Sequence, residues 1–141
     1  MVQIYAGRLQ EAPAMTTFVE GEDLPIVAYV TAPDGTLLIS TASQTGTVES
    51  GTVSVFDLDG SDPGTAIYTA ALTISSVFTT TATTDGWWTL GSSGRNFKFI
   101  LSPATSFTAS DGHSYRVELA FITTNYGTVA LDVIALCRGR L

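Results

Sequence analysis

The sequence predicts an all-β fold, a sandwich of about eight strands, and three observations support this prediction. Near the C-terminus, apolar residues occupy every second position from Tyr115 to Phe121 and again from Val129 to Cys137. Because side chains alternate between the two faces of a strand, this period indicates strands with one buried and one solvent-facing side. The chain contains 22 Thr, 13 Ser and 13 Gly, which are typical of strands and turns. No ten-residue stretch shows the apolar stripe of an amphipathic helix.

Shorter runs predict the other strands, in chain order. Residues 1–5 predict a short edge strand, and apolar residues alternate from Leu24 to Val30. The further candidate strands are Leu37–Ile39, Thr52–Phe56, Ala66–Ile74, Val77–Thr80 and Asn96–Leu101. Turn-forming residues separate these runs every 8–12 residues or so, as is typical of an all-β sandwich or barrel.

The turns have identifiable chemistry. In Pro33-Asp34-Gly35 the proline restricts φ, and the glycine accepts the positive φ that a tight turn requires. The segment from Thr123 to Gly127 interrupts the two C-terminal runs and contains Asn125 beside a glycine. This composition predicts that the last two strands form a hairpin whose loop contains a bulge.

The N-terminal segment differs from the rest of the chain and divides the predicted organisation in two. Residues 1–21 have no sustained period, whereas regular alternation begins after residue 22. We therefore expect an arm over residues 1–21 and a β-sandwich domain over residues 22–141. The arm is expected to bind another subunit by adding to an exposed sheet edge. Its candidate contact residues are Ile4, Tyr5, Leu9, Met15, Phe18 and Val19.

Composition and charge restrict the possible partners. The chain has 141 residues, enough for one domain with its own core, and 45% of them are apolar. Its net charge is −7 with six basic residues, and no basic cluster is present that could bind nucleic acid or an anionic membrane. Arg138 and Arg140 form the densest basic pair, and we expect them to make ion pairs at an interface.

The cysteine content favours assembly inside a cell. Cys137 is the only cysteine, so an intrachain disulfide is impossible, and its place in the apolar register predicts a small core residue. The N-terminus lacks the cationic and apolar regions of a signal peptide, and no apolar run approaches the roughly 20 residues that span a bilayer.

One acidic loop is a candidate metal site. Asp57, Asp59 and Asp62 lie close together, and Gly60 permits a tight turn of the kind found around calcium. An EF-hand loop would need a carboxylate at its twelfth position, which is Tyr68 here. Asp and Gly also form turns without metal, so the sequence favours an acidic turn, and we expect no metal and no cofactor.

A catalytic role is not predicted. The single histidine, His113, lies beside Asp111 and Ser114, but neighbouring strand residues point to opposite faces and cannot converge as a triad. We therefore expect an exposed loop histidine. The few titratable groups are scattered through turns, and we expect that the protein is not an enzyme.

Two adjacent tryptophans have two alternative roles, in glycan binding or in the core and a protein interface. Trp87 and Trp88 follow Asp85-Gly86. An exposed tryptophan ring can stack on a sugar, as in glycan-binding β-sandwich modules. The interpretation that we favour places one tryptophan in the core and the other at a protein interface, where tryptophan is enriched.

A set of positions between Gly86 and Arg140 carries a family resemblance: Gly86-Trp87, Asn96-Phe97, Leu101, Phe107, Gly112, Tyr115 to Glu118, Thr123-Thr124 and Tyr126-Gly127. In these positions the chain resembles small Ig-like β-sandwich proteins from the virions of tailed bacteriophages. The strand Val53-Ser54-Val55-Phe56 and its Asp/Gly turn agree with this resemblance, which does not cover residues 1–21. The resemblance implies an Ig-like antiparallel sandwich and a role as a capsid cement or decoration protein, or as a tail or baseplate component.

These considerations lead to one function hypothesis and its alternatives. The expected function is that of a virion structural protein, a capsid cement protein that stabilises the phage head through protein–protein contacts. The expected partners are the major capsid protein, other virion proteins and further copies of this chain, assembled in the host cytoplasm. The alternatives are a tail, baseplate or receptor-binding component and a carbohydrate-binding module.

Overall fold

The computed structural model describes residues 1–6, 13–40, 46–84 and 94–139 of the chain. Within these ranges the fold is all-β, with nine strands and two helical turns of four residues each. The strands are β1 (Val2–Ala6), β2 (Ala14–Val19), β3 (Leu24–Val30), β4 (Val48–Asp57), β5 (Tyr68–Ala71), β6 (Phe78–Thr83), β7 (Arg95–Leu101), β8 (Ser114–Thr123) and β9 (Gly127–Arg138). The helical turns are α1 (Ile74–Val77) and α2 (Pro103–Ser106).

The strands form two sheets that share one core. The four-stranded sheet has the order β1-β3-β7-β6, and the five-stranded sheet has the order β2-β9-β8-β4-β5. The expectation of a purely antiparallel arrangement is wrong, because β1 lies parallel to β3 and β2 lies parallel to β9. Between β1 and β2 the chain passes from an edge of one sheet to an edge of the other. A strand reached by such a crossing, and not by a hairpin, can lie parallel to its neighbour.

The N-terminal segment contributes strands to the domain, which corrects the expected arm. Val2 and Ile4 of β1 and Phe18 of β2 are at most 7% exposed and belong to the common core. The ring of Phe18 lies edge-on to Tyr115, with centroids 6.1 Å apart. Because these side chains are already removed from water by their own domain, they have little exposed apolar area left to bury against another subunit. The described residues on both sides of position 21 therefore belong to one folded unit.

The core consists of the inward-facing residues of both sheets. Phe78, Phe97 and Phe121 form an aromatic cluster, with ring centroids 4.9–5.2 Å apart. The alternation predicted for β8 is confirmed, with Tyr115 to Phe121 buried at every second position, and the inward residues of β9 are buried from position 131 to 137. Cys137 is 1% exposed, which confirms its predicted place in the core.

Three predicted strands differ from the observed ones. Residues 37–39 make only isolated bridges, at Leu37 and Ile39, although Leu38 is fully buried. The strand expected over residues 66–74 is confined to β5, after which Ile74 begins α1, and Val77 ends α1 before β6 starts. The apolar residues of these three segments pack into the core from loops and from a helical turn. A side chain can be buried in this way without its backbone pairing in a sheet.

Both predicted turns form, although the pairing of β8 with β9 shows no register shift that would mark the expected bulge. Gly35 has φ = 92° and Gly127 has φ = 69°, values that favour glycine. Gly127 pairs with Thr123 at the end of the β8–β9 hairpin, and the Thr123 hydroxyl donates to the Gly127 carbonyl at 2.9 Å.

One buried polar side chain connects the end of β3 to the following loop. Asn96 is fully buried, and its amide group bonds to both backbone groups of Val30 at 2.7 Å. It also donates to the Leu38 carbonyl at 2.8 Å. These bonds satisfy backbone groups where β3 ends, so that the loop can pack closely on the sheet.

Candidate functional site

The acidic loop after β4 is held by hydrogen bonds within the protein. Asp57 Oδ1 accepts from the Asp59 amide at 3.1 Å, and Asp62 Oδ2 accepts from the Thr65 hydroxyl at 2.8 Å. Asp59 Oδ2 accepts from the Ser114 amide at 2.7 Å. Each carboxylate therefore fixes a different part of the turn, as Asp commonly does. Among the described residues, no three His, Cys, Asp or Glu side chains form a metal-binding group.

His113 lies in the loop that precedes β8, as expected, but its side chain is partly buried against Asp57 and is not fully exposed. Its Nδ1 lies 3.0 and 2.9 Å from the two carboxylate oxygens of Asp57, and the side chains of His113 and Asp57 are 34% and 18% exposed. Because a carboxylate only accepts hydrogen bonds, Nδ1 carries the proton. Asp111 instead accepts from the Gly139 amide at 2.7 Å, so Asp111, His113 and Ser114 do not converge.

Two shallow pockets lie near this end of the molecule. One, of about 240 Å³, includes Asp57 and Asp62, whose carboxylates are already bound by His113 and Thr65. The other, of about 230 Å³, lies between Glu20 and Phe107. In the first pocket the bond from Thr65 to Asp62 joins residues three positions apart, a contact that Asp commonly makes in turns.

The outer face of the five-stranded sheet carries a row of side chains across four strands. Met15 of β2 pairs with Ile134 of β9, and Ile134 pairs with Arg116 of β8. Arg116 pairs in turn with Phe56 of β4. Directly paired residues on one face lie close enough for their side chains to interact.

Arg116 is the centre of this row. Its guanidinium carbon lies 4.3 Å from the centroid of the Phe56 ring, in the geometry of a cation–π contact. Arg116 Nη1 also lies 3.1 Å from Glu118 Oε2 and 3.9 Å from Asp132 Oδ1. Burial raises the pKa of the Asp132 carboxyl, while the charge of Arg116 acts in the opposite direction. The Arg116 guanidinium thus interacts with the carboxylates of both Glu118 and Asp132.

Beside this charged group the face is apolar. Met15 is 72% exposed and pairs with Ile134, and Leu136 is 38% exposed and follows Ile134 on the same face of β9, opposite Thr17 and diagonal to Val19. We call the four residues Met15, Val19, Ile134 and Leu136 the apolar strip. Methionine, arginine and aromatic residues are enriched at protein interfaces, and contiguous exposed apolar groups are typical of contact surfaces. The outer face is therefore the best candidate interaction surface among the described residues.

The predicted interface residues have different locations. Met15, Val19 and Arg138 lie on the outer face, whereas Ile4 and Phe18 are buried in the core. Tyr5 lies in β1, paired with Tyr29 of β3. Four further candidates lie outside the described residues, namely Leu9, Trp87, Trp88 and Arg140.

Sequence reasoning missed the remaining residues of this surface, although a signal was present. In β9 apolar residues occupy both faces from Val133 to Cys137, because Ile134 and Leu136 stand where a half-exposed strand would carry polar residues. Such a run indicates a strand covered on both sides. The contact of Phe56 with Arg116 had no signal in the sequence, because 60 positions separate the two residues.

Comparisons with protein-family models, with curated proteins and with solved structures found no match. None of the helices formed by the described residues has the length and apolarity needed to span a bilayer.

Proposed function

We propose that this chain is a capsid cement protein of a tailed bacteriophage, an Ig-like β-sandwich that stabilises the head through protein–protein contacts. The observation that carries the proposal is the apolar strip on the outer face of the five-stranded sheet. A solvated face of a sheet normally alternates with polar residues, so exposed apolar side chains here are best explained by a protein partner.

The electrostatics of this face support the same role. Its outward-pointing charged residues on β8 and β9 are Arg116, Glu118, Asp132 and Arg138, two of each sign, whereas the whole chain carries −7. A locally neutral face avoids the repulsion that an acidic protein otherwise presents to acidic partners. The other acidic side chains described above at the Asp57 end of the sheet are engaged in turns.

A cement protein stabilises a capsid by adding contacts between neighbouring capsid subunits. A protein that contacts two neighbouring capsid subunits adds interfaces that must break before the subunits separate, and each interface contributes by burying apolar area. No catalytic step is part of this proposal. The partners are the major capsid protein and other virion proteins, and the site of action is the assembled particle.

The test compares phage particles with and without this protein. Particles that lack it should still assemble but release their genome at a lower temperature, and purified full-length protein should restore the resistance when it is added back. Unchanged heat resistance would contradict the head role. Labelling of the protein on the tail or baseplate would support the alternative location, and binding to glycans that is lost in Trp87→Ala or Trp88→Ala would support a carbohydrate-binding module.

A further inference from the structure

We propose that the apolar strip is the contact between two copies of this chain, packed face to face about a two-fold axis that passes beside Ala135. This inference deepens the proposed function, because it names the occupant of the surface on which that function rests. The dimer is tested on the isolated protein and the cement role on phage particles. Either proposal can therefore fail while the other holds.

The order of the outward residues on β9 carries the proposal. From position 132 to position 138 the outward side chains are an acid, two apolar residues and a base, namely Asp132, Ile134, Leu136 and Arg138. In a two-fold contact with antiparallel strands centred on position 135, residue 132 of one copy faces residue 138 of the other. The same symmetry places residue 134 opposite residue 136. The interface thus contains two ion pairs of Asp132 with Arg138 and two apolar contacts of Ile134 with Leu136, because the two-fold axis repeats each of them.

The charges around Asp132 favour a second cation. Asp132 and its cross-strand neighbour Glu118 share Arg116, so the group has an excess of one negative charge. Arg138 is exposed, and no ion pair within the described ranges includes it. An arginine supplied by the second copy would balance the excess, and complementary charges of this kind also fix the register of an interface.

The size of the contact predicts a weak dimer. Centred on position 135, β9 and β2 contribute about seven and six residues to the overlap, whereas β8, β4 and β5 contribute only about five, four and two, which is about 400 Å² per copy at ordinary strand spacings. The total of about 800 Å² lies below the roughly 1,000 Å² of a stable specific interface and is typical of a weak contact. The dimer should therefore form at high concentration, as on the surface of a shell where many copies are close together.

A dimer also fits the cement role. Two-fold symmetry duplicates every other surface of the protein, so one dimer has two identical sites for capsid subunits. It can bind two neighbouring subunits at once, and the second contact then benefits from a high effective concentration.

The first experiment measures the mass of the purified full chain by sedimentation at concentrations from about 5 to about 500 μM, the range of weak contacts. We expect the mass to rise from 14.8 kDa towards twice that value. Leu136→Glu should raise the dissociation constant about tenfold or more, since it places a charge in the apolar contact. Ile100→Glu is the matched control, because Ile100 is 43% exposed on the other sheet. It should dimerise like the wild type.

The second experiment tests the register by charge exchange. Arg138→Asp alone and Asp132→Arg alone should each be monomeric, because each homodimer contains two like-charge pairs. When the two variants are mixed, the heterodimer has both pairs with opposite charges, so dimers should form. Recovery on mixing also excludes misfolding as the reason for the loss.

The outcomes are decisive for the proposal. A wild-type protein that stays monomeric overturns it, and the strip would then be the site of a capsid subunit. A dimer that Leu136→Glu leaves intact overturns the assignment of the face. Failure of the mixed variants to associate overturns the axis beside Ala135. Reduced heat resistance of particles that lack the protein would still support the cement role in each of these cases.

Discussion

The phenolic hydroxyl of Tyr126 donates a hydrogen bond to Asp34 Oδ2 at 2.9 Å, although 92 positions separate the two residues. Tyr126 lies in the loop of the β8–β9 hairpin, and Asp34 lies in the turn that follows β3. The same hydroxyl lies 3.0 Å from Thr36 Oγ1, and Asp34 Oδ1 accepts from the Thr36 amide at 2.9 Å. The contact therefore connects the ends of strands from both sheets.

This contact predicts an acid-dependent contribution to stability. Hydrogen bonds from the backbone and side chain of Thr36, followed by that of Tyr126, lower the pKa of Asp34 below its ordinary value of 3.8. A lowered folded-state pKa stabilises the fold above the ordinary value, and the contribution is lost as the pH falls through the folded-state pKa. Asp34→Asn should thus have a lower Tm than the wild type at neutral pH, and the difference should shrink below pH 3.8. Thermal unfolding as a function of pH measures this, and a difference that grows on acidification would contradict it.

Replacement of the buried Asn96 should lower the stability of the fold more than replacement of Asp34. Asn96→Leu keeps the approximate shape but leaves the Val30 N–H and the Leu38 C=O without their partner, while the Val30 C=O keeps only its bond from the Leu38 amide. Each buried unsatisfied group costs about 1–3 kcal/mol, so a loss of about 2 kcal/mol or more is expected. Thr52→Val is the control, since Thr52 is exposed on β4 and its replacement should change stability by less than about 0.5 kcal/mol. Urea unfolding compares the two, and equal losses would show that the Asn96 bonds do not stabilise the fold.

The hairpin of β8 and β9 could be predicted from the sequence because its pattern is local. Alternation over ten residues determines which face is buried, and a three-residue loop followed by Gly127 joins the strands. β7 was predicted for the same reason. The parallel pairs of β1 with β3 and β2 with β9 have no local signal, because nothing in a strand indicates which distant edge it joins.

The candidate site was less predictable for a related reason. The contacts of His113 with Asp57 and of Asn96 with Val30 join residues 56 and 66 positions apart. A pattern read along the chain cannot reveal such pairs. The pattern also cannot distinguish apolar residues that are buried in the core, such as Ile4, from those that bind another subunit, because both kinds are apolar.

The buried thiol predicts low reactivity in the folded protein. Burial raises the pKa of Cys137, and the charges of Glu20 and Asp111 act in the same direction. Since the thiolate is the reactive form, a disulfide reagent should modify Cys137 slowly in the native protein and at least about a hundredfold faster in denaturant. The rate is followed by the released chromophore at pH 8. Rapid modification without denaturant would mean that the C-terminal end of β9 opens readily.

The N-terminal strands allow a direct comparison of a core role with an arm role. Ile4 is 5% exposed and packs in the core, whereas Met15 is 72% exposed on the edge strand β2. Ile4→Ala should lower the free energy of unfolding by about 2–5 kcal/mol, because it removes buried methyl groups and leaves a cavity. Met15→Ala should change it by less than about 0.5 kcal/mol. Urea unfolding of the purified chain measures both variants. If Ile4→Ala were as stable as Met15→Ala, then β1 would not belong to the core, and residues 1–21 would again qualify as an arm for another subunit.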